Sequence, residues 1–192
     1  SRLSGNGGLA LIAQSLRAID HDLNTEEGRA AVQLVLPEEI ARRMRVFPLR
    51  VKPGDDASCL NPYRISRPRI LGVPDSLIER GGFGFAQAAN RDHPWRALRE
   101  NAAVDSQSPG AAVPVILDQN TAMYALHLWE GVGQEFEIDD AGGRIRLKVV
   151  GLLENSIFQG ELLIAESVFV RLFPRESGYR YFLIESDHDQ GL

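Results

Sequence analysis

The stretch "VVGLLENSIFQGELLIAESVFVRLFPRESGYRYFLIES", residues 149–186, decides the fold of this 192-residue chain. Within it, "GELLIA" at residues 160–165 predicts a strand. The following "ESVFVRLF" predicts a helix that ends at Pro174, because proline cannot continue a helix. "GYRYFLIES" then predicts a closing strand. Strands that alternate with helices predict a domain of the α+β or mixed α/β class.

The segment just before this stretch predicts a β-hairpin. "QEFEI" and "RIRLKVVGLL" flank "DDAGG", whose Asp and Gly residues favour a tight turn. In the second arm Arg144, Arg146 and Lys148 alternate with apolar residues. This period of two predicts a sheet with one face in water.

Further upstream, "AVPVILD" predicts a strand that ends at Asp118. Either Asp118 or Asn120 is expected to cap a following helix, "TAMYALHLW" at residues 121–129. "PWRALRE" predicts another helix, and residues 105–110 predict an exposed turn. "RILGV" predicts a short strand, and Asp75 is expected to cap a helix that ends at Gly81.

The first fifty residues predict two strands and one helix. "GLALIAQS" suits a buried strand, and the helix "NTEEGRAAVQL" has Asn24 or Thr25 as N-cap, with Glu27 placed for a capping box. "VFPLRV" alternates as a strand does. Because Pro48 has no N–H to donate, it predicts an edge position for that strand.

Composition excludes some classes of function. The apolar fraction of 44% and the charged fraction of 24% are those of an ordinary globular protein. A net charge of −5 argues against nucleic-acid binding, which requires a basic face. Residues 41–52 hold five basic residues and no acid, which favours a solvated helix end and strand over an anion site. No apolar run reaches the roughly 18 residues of a membrane span. The chain starts with Ser1, so membrane segments of a longer parent stay open.

"GDDASCLN" at residues 54–61 is the one stretch that offers an active site. Asp55, Asp56 and Cys59, the single cysteine, suggest a soluble hydrolase or transferase as an alternative function. A nucleophile needs a base that is held in position by a third group. None of the four histidines stands in a motif that would supply such a base. Aspartates after Pro-Gly instead favour a loop that binds its own backbone N–H groups.

The remaining candidates favour structure over chemistry. The four histidines are scattered, and two of them, His21 and His188, each stand between two aspartates. Neighbouring residues of a strand point to opposite faces, so neither triplet predicts a metal site. Trp95 and Trp129 are interpreted as core or lobe-interface residues. We therefore expect no catalytic, cofactor or metal residues.

Several segments, in their order along the chain, resemble the extracytoplasmic domain of FtsX-like bacterial ABC-transporter permeases, which carry a MacB-type periplasmic core domain. Besides residues 149–186, the segments that carry this resemblance are "SGNGGLALIAQS", "DLNTEEGR", "VKPGDDASCLNPYRISRPRILGVP", "LIERGGFGFA" and "AVPVILDQNTAMYALHL".

The resemblance implies a two-lobed fold with βαβ units. Residues 1–52 together with 158–192 would form a membrane-proximal lobe, and residues 53–157 an inserted distal lobe. It also implies that residues 54–63 form a structural loop and that the domain has no catalytic site of its own.

The resemblance further implies a parent in the bacterial inner membrane, with this domain in the periplasm. ATP would be hydrolysed by a separate subunit or domain that acts through membrane helices. The expected partners are that ATPase, a periplasmic adaptor or substrate protein, and a second copy of the permease. Residues 53–69 and 86–110 are candidates for partner contact. A solute-binding domain is a further alternative to the transporter function.

Overall fold

In the computed structural model, residues 1–54, 68–100, 111–140 and 143–186 are described, and their strands form one nine-stranded sheet. The strands are β1 Leu11–Ile19, β2 Met44–Lys52, β3 Arg69–Val73, β4 Phe85–Ala88, β5 Val113–Asp118, β6 Glu135–Asp140, β7 Gly143–Leu153, β8 Glu161–Ala165 and β9 Tyr179–Ser186. The α-helices are α1 Glu26–Ala31, α2 Glu38–Arg43, α3 Asp75–Arg80 and α4 Glu166–Leu172.

The sheet is mixed, which confirms the predicted α+β class. Its order is β1-β9-β2-β3-β8-β5-β7-β4, and β6 pairs with β7. β3 runs parallel to β8, and β5 runs parallel to β7. Because β9 and β3 both run antiparallel to β2, β8–α4–β9 is a parallel crossover, the βαβ unit that the resemblance implies.

The central strands form the core. Every residue of β8 is buried, and so are all but the first residues of β3 and β5. Since side chains alternate between the two faces of a strand, both faces of this part of the sheet are covered. α4 packs against β3, β8 and β2. At this contact Gly72 leaves room for Phe169, because a Cβ there would lie 2.9 Å from the ring.

The predicted edge position of the "VFPLRV" strand is wrong, because β2 lies between β9 and β3. β3 pairs only with Arg50, Val51 and Lys52, so the earlier part of β2 has no strand on that side. Val46 directs its N–H to the same side, where it meets the Asn24 side chain. Pro48 lies two residues further along β2, so the N–H that it lacks would also point to this side. It therefore removes no hydrogen bond between strands.

Asn24 has a tertiary role in place of the predicted capping box. The N-cap of α1 is Thr25, whose Oγ1 accepts from the N–H of Gly28, 3.0 Å away. The Asn24 amide instead bonds both backbone groups of Val46, at 2.8 and 3.0 Å. Glu27 therefore has no capping partner at Asn24.

Two predicted helices are shorter than expected, and one cap is displaced. Residues 121–129 contain a single π-helical turn, Thr121–Ala125, and His127 has φ +55°, which ends helical geometry. "PWRALRE" forms a 3₁₀ turn, Pro94–Leu98. Asp75 is the first residue of α3 and makes no capping bond.

Two elements escaped the sequence prediction. α2 is a six-residue helix without a buried residue, and β4 is a four-residue strand. β4 and the 3₁₀ turn show that the segment from residue 86 to residue 100 is not irregular throughout. The division at residues 52 and 158 into two lobes stays a prediction.

Candidate functional site

The alternative active-site loop lies outside the described residues. This loop contains Asp55, Asp56 and Cys59. Most of the partner-contact candidate at residues 53–69 also lies outside the described residues. The catalytic alternative therefore stays a hypothesis without a structural argument. His188 and its two aspartates lie outside the described ranges as well.

The described histidines do not meet. His21 follows β1, His93 precedes the 3₁₀ turn, and His127 lies against Trp129 with 5.9 Å between ring centroids. Within the described ranges, no three His, Cys, Asp or Glu side chains are close enough to hold a metal ion.

The two tryptophans have different environments. Trp95 is buried, as predicted, and donates from Nε1 to the carbonyl of Gly82, 2.8 Å away. It packs against Phe83 and Phe85 with centroid distances of 5.6 and 5.8 Å. The interpretation of Trp129 as a core residue is wrong, since 63% of it is exposed.

One polar site lies where the chain enters and leaves the sheet. Leu11 at the start of β1 pairs with Ile184 near the end of β9. Glu185 accepts two hydrogen bonds from Arg80, at 2.7 and 3.0 Å, and Arg2 lies 3.7 Å from the same oxygen. The two ends of the described chain are thus linked through one carboxylate.

Arg80 is the structural centre of this site. Its side chain is only 2% exposed, lies 5.7 Å from the centre of the Phe47 ring and also donates to the carbonyl of Gly81. Hydrogen bonds from Arg80 hold the pKa of Glu185 below its usual range, against the opposing effect of burial. A doubly bonded ion pair of this kind fixes geometry, because removal of Arg80 takes both hydrogen bonds from Glu185 and leaves the more distant Arg2 beside it.

The basic stretch at residues 41–52 does not form one anion site. Arg50 bonds Glu166 of α4 at 2.8 Å, and Lys52 lies 3.6 Å from both Asp140 and Glu176. These pairs connect β2 to its surroundings. Where the sequence predicted a solvated helix end and strand edge, Arg50 and Lys52 instead have side chains that are 21% and 24% exposed and ion-paired.

A second polar cluster is buried at the start of the parallel β3–β8 pair. Arg69 and Glu161 form an ion pair, and Arg69 also lies 5.3 Å from the centre of the Tyr181 ring and donates to Gln14. Burial raises the pKa of Glu161 to about 7, although Arg69 acts in the opposite direction. Burial, and then the Glu161 charge, raise the pKa of Tyr181 to about 12. Arg69 Nε and Glu161 Oε2 are buried without a hydrogen-bond partner.

An open cleft of about 690 Å³ lies beside α3 and the 3₁₀ turn. Phe83, Phe85 and Trp95 provide apolar surface, and Arg91 and Glu154 are charged groups at its wall. This mixture could accept a small polar molecule with an apolar part.

The sequence prediction missed Arg80, Glu161 and Glu185. One signal was available for Glu161, which is a charged residue at the start of the uninterrupted apolar run "LLIA". No local pattern marks Arg80 or Glu185, because each finds its partner through the fold alone.

No helix within the described ranges has the length and apolar character of a membrane span. No family model matches the chain, and no curated protein matches it either. Among solved structures, it is similar to the periplasmic region of MacB from Actinobacillus actinomycetemcomitans, with 10% identity and a TM-score of 0.46. That similarity covers 94% of this chain and 75% of the MacB chain.

Proposed function

We propose that this chain is a non-catalytic extracytoplasmic domain of an FtsX-like ABC-transporter permease. In this proposal, membrane segments flank the domain in the parent protein, and a separate ATPase subunit or domain drives it from the cytoplasmic side. The domain passes that motion to a substrate or partner protein outside the membrane. The ordered run of family-like segments along most of the chain supports this assignment.

The observation that carries the proposal is the proximity of the two chain ends. Arg2 and Glu185 are in contact, and β1 and β9 are neighbouring antiparallel strands. A domain with a membrane segment on each side needs its entry and exit on the same side. Eight strands follow one another from this edge to β4. With seven spacings of about 4.8 Å, motion at the chain ends would be carried roughly 34 Å across the sheet.

The parent protein provides the test. Its sequence should contain one membrane helix before Ser1 and three after Leu192. In intact cells with a permeabilised outer membrane, a cysteine introduced at the exposed Leu16 should react with a membrane-impermeant maleimide in a Cys59→Ser background. A parent of about this size without membrane segments, or labelling only after cell lysis, would refute the proposal.

The cleft favours a solute-binding domain as a second candidate function. Native mass spectrometry of the purified domain would then show a copurified small molecule. Its loss on substitution of Arg91 by Glu, but not of the exposed Arg17 by Glu, would assign it to the cleft. A domain that carries no ligand from cell extract would speak against this candidate.

A further inference from the structure

The outer side of β4 is a free edge of the sheet. One side of β4 pairs with β7, and no strand of the described ranges pairs with the other side. A free strand edge presents backbone N–H and C=O groups, and the ligand that such groups fit is a second extended backbone. The kind of partner that this edge can take is therefore set by its backbone chemistry.

Two backbone groups of this edge, one donor and one acceptor, point away from the sheet. The C=O of Gly84 accepts from the N–H of Glu154, directly after β7, and the N–H of Ala89 donates to β7, both at 2.9 Å. The C=O and N–H of a trans peptide point in opposite directions. The N–H of Phe85 and the C=O of Ala88 therefore face outward, and neither has a hydrogen-bond partner among the described residues.

Two clefts give this edge the shape of a groove. The larger one, of about 690 Å³, is the cleft beside α3, and the smaller one has about 440 Å³. Phe85, Arg91 and Pro94 line both clefts, and every residue from 82 to 88 lines at least one of them. The groove thus follows β4 over six residue steps, which is roughly 20 Å and fits about six residues of an extended peptide.

The two clefts favour different side chains. Phe85 and Trp95 supply apolar surface in the larger cleft. Asp92 and Glu154 line only this cleft and have no ion-pair partner among the described residues, so they disfavour a carboxylate there. Of the described residues that line the smaller cleft, Arg91 alone is charged, and no ion pair of Arg91 occurs within the described ranges. The larger cleft therefore fits an apolar side chain, and the smaller cleft fits an acidic one.

We propose that β4 binds an extended segment of a partner polypeptide, which adds to the sheet as a further strand. This segment places an apolar side chain in the larger cleft and an acidic side chain in the smaller one. The two side chains are two residues apart, because side chains return to the same face of a strand with a period of two. The inference rests on the proposed function and deepens it, since it names the surface that engages a substrate or partner protein.

Two terminally blocked hexapeptides serve as probes for the 192-residue chain. One has leucine at its third and glutamate at its fifth position in a threonine background, and the other has the reverse order, because a strand can add in either direction. The readout is hydrogen exchange of the Phe85 amide, measured by nuclear magnetic resonance. At least one peptide should slow this exchange about tenfold at saturation. The amide of Ala89, which already bonds β7, should remain unchanged.

Modified peptides and one charge reversal test the binding mode. N-methylation of every second peptide residue should weaken binding about tenfold, and methylation of the residues between them should not, because only alternate N–H groups of an added strand face β4. Arg91→Glu should weaken binding of the glutamate peptide about fivefold, and a lysine in place of that glutamate should restore it. Arg17→Glu, at an exposed arginine of β1, is the matched control and should change neither affinity.

Three results would overturn the inference. These are an unchanged Phe85 amide with both peptides, equal effects of N-methylation at all positions, and the same preference for glutamate over lysine in Arg91→Glu as in the wild type. Protection of the Phe85 amide that rises with protein concentration in the absence of peptide would also overturn it, because the edge would then pair with a second copy. The two proposals fail separately, since peptides that do not bind leave a membrane-anchored parent untouched. A parent without membrane segments refutes the proposed function whatever the peptides show.

Discussion

Glu161 should make the stability of this domain decrease as the pH rises, and Glu161→Gln should remove that dependence. Burial at the start of β8 raises the pKa of this carboxyl from 4.5 to about 7. A carboxyl with a raised pKa binds more protons in the folded state. Its stabilising contribution is therefore complete below pH 4.5 and is lost as the pH rises through 7.

The magnitude follows from the two pKa values. With 4.5 in the unfolded chain and about 7 in the folded domain, linkage gives a loss of about 2.5 kcal/mol between pH 5 and pH 8. Removal of the carboxylate also changes the environment of Arg69. Because an arginine stays charged over this range, that effect is the same at every pH and cancels when the two pH values are compared.

Urea unfolding of both proteins at several pH values provides the assay, with the fluorescence of the buried Trp95 as the signal. The free energy of unfolding of Glu161→Gln minus that of the wild type should be about 2.5 kcal/mol more positive at pH 8 than at pH 5. Glu185→Gln is the matched control. Its carboxyl has a lowered pKa, so its contribution is lost only at more acidic pH, and its difference should stay constant over this range. Parallel profiles for wild type and Glu161→Gln would refute the reasoning.

Three substitutions test other contacts by the same urea unfolding assay. Gly72→Ala should destabilise the domain by about 1–3 kcal/mol, because the new Cβ would lie 2.9 Å from the Phe169 ring. Asn24→Ala should cost about 2 kcal/mol, since it leaves an N–H and a C=O of β2 without their partner. Arg80→Met should cost about 1.5–3 kcal/mol, because the Glu185 carboxylate loses its two hydrogen bonds and keeps only Arg2 at 3.7 Å.

Each of these tests has its own control. Asn120→Ala removes an amide of the same kind from an exposed position whose side chain makes no capping bond, and should change stability by less than about 1 kcal/mol. In the Gly72→Ala background, Phe169→Leu should restore part of the lost stability. If the two substitutions instead destabilised the domain additively, the steric explanation would be wrong. If neither Arg80→Met nor Arg80→Lys changed the free energy of unfolding, the Arg80–Glu185 ion pair would not contribute to stability.

The sequence predicts best those strands and helices whose propensity, periodicity and end residues all indicate the same structure. β8, α4 and β9 follow from apolar runs, a helical segment and the helix-ending Pro174, and all three are present. The hairpin of β6 and β7 also forms, with Arg144 and Arg146 on the exposed face. In these segments, propensity, periodicity and turn composition agree.

The errors lie where tertiary contacts override local preference. Asn24 is a good N-cap by composition, but its amide replaces a missing strand beside β2. Pro48 would disrupt an interior strand if β3 were longer, but β3 stops short of it. His127 interrupts a helical pattern through a backbone conformation that propensity does not reveal.

The candidate site was less predictable than the fold, because it consists of long-range charge pairs. Arg80 and Glu185 lie on α3 and β9, and Arg69 and Glu161 become neighbours only when β3 and β8 align in parallel. Single-sequence patterns carry no information on such pairings. Burial of a charged residue at the start of an apolar run was the one local indication.

The sheet explains why these pairs lie where they do. Along the hydrogen-bonded strand order, β1 and β9 connect to β8 and β5 through β2 and β3, which share three residue pairs. This is a narrow junction for the transmission of motion that the proposed function requires. α4 covers it by packing on β2, β3 and β8, and Arg50 ties it to Glu166. On the far side of the junction Arg69 connects β3 to Gln14 of β1 and Glu161 of β8. Polar contacts thus brace a junction with short backbone pairing, and a stiff connection between the chain ends and the distal strands is what the proposed function requires.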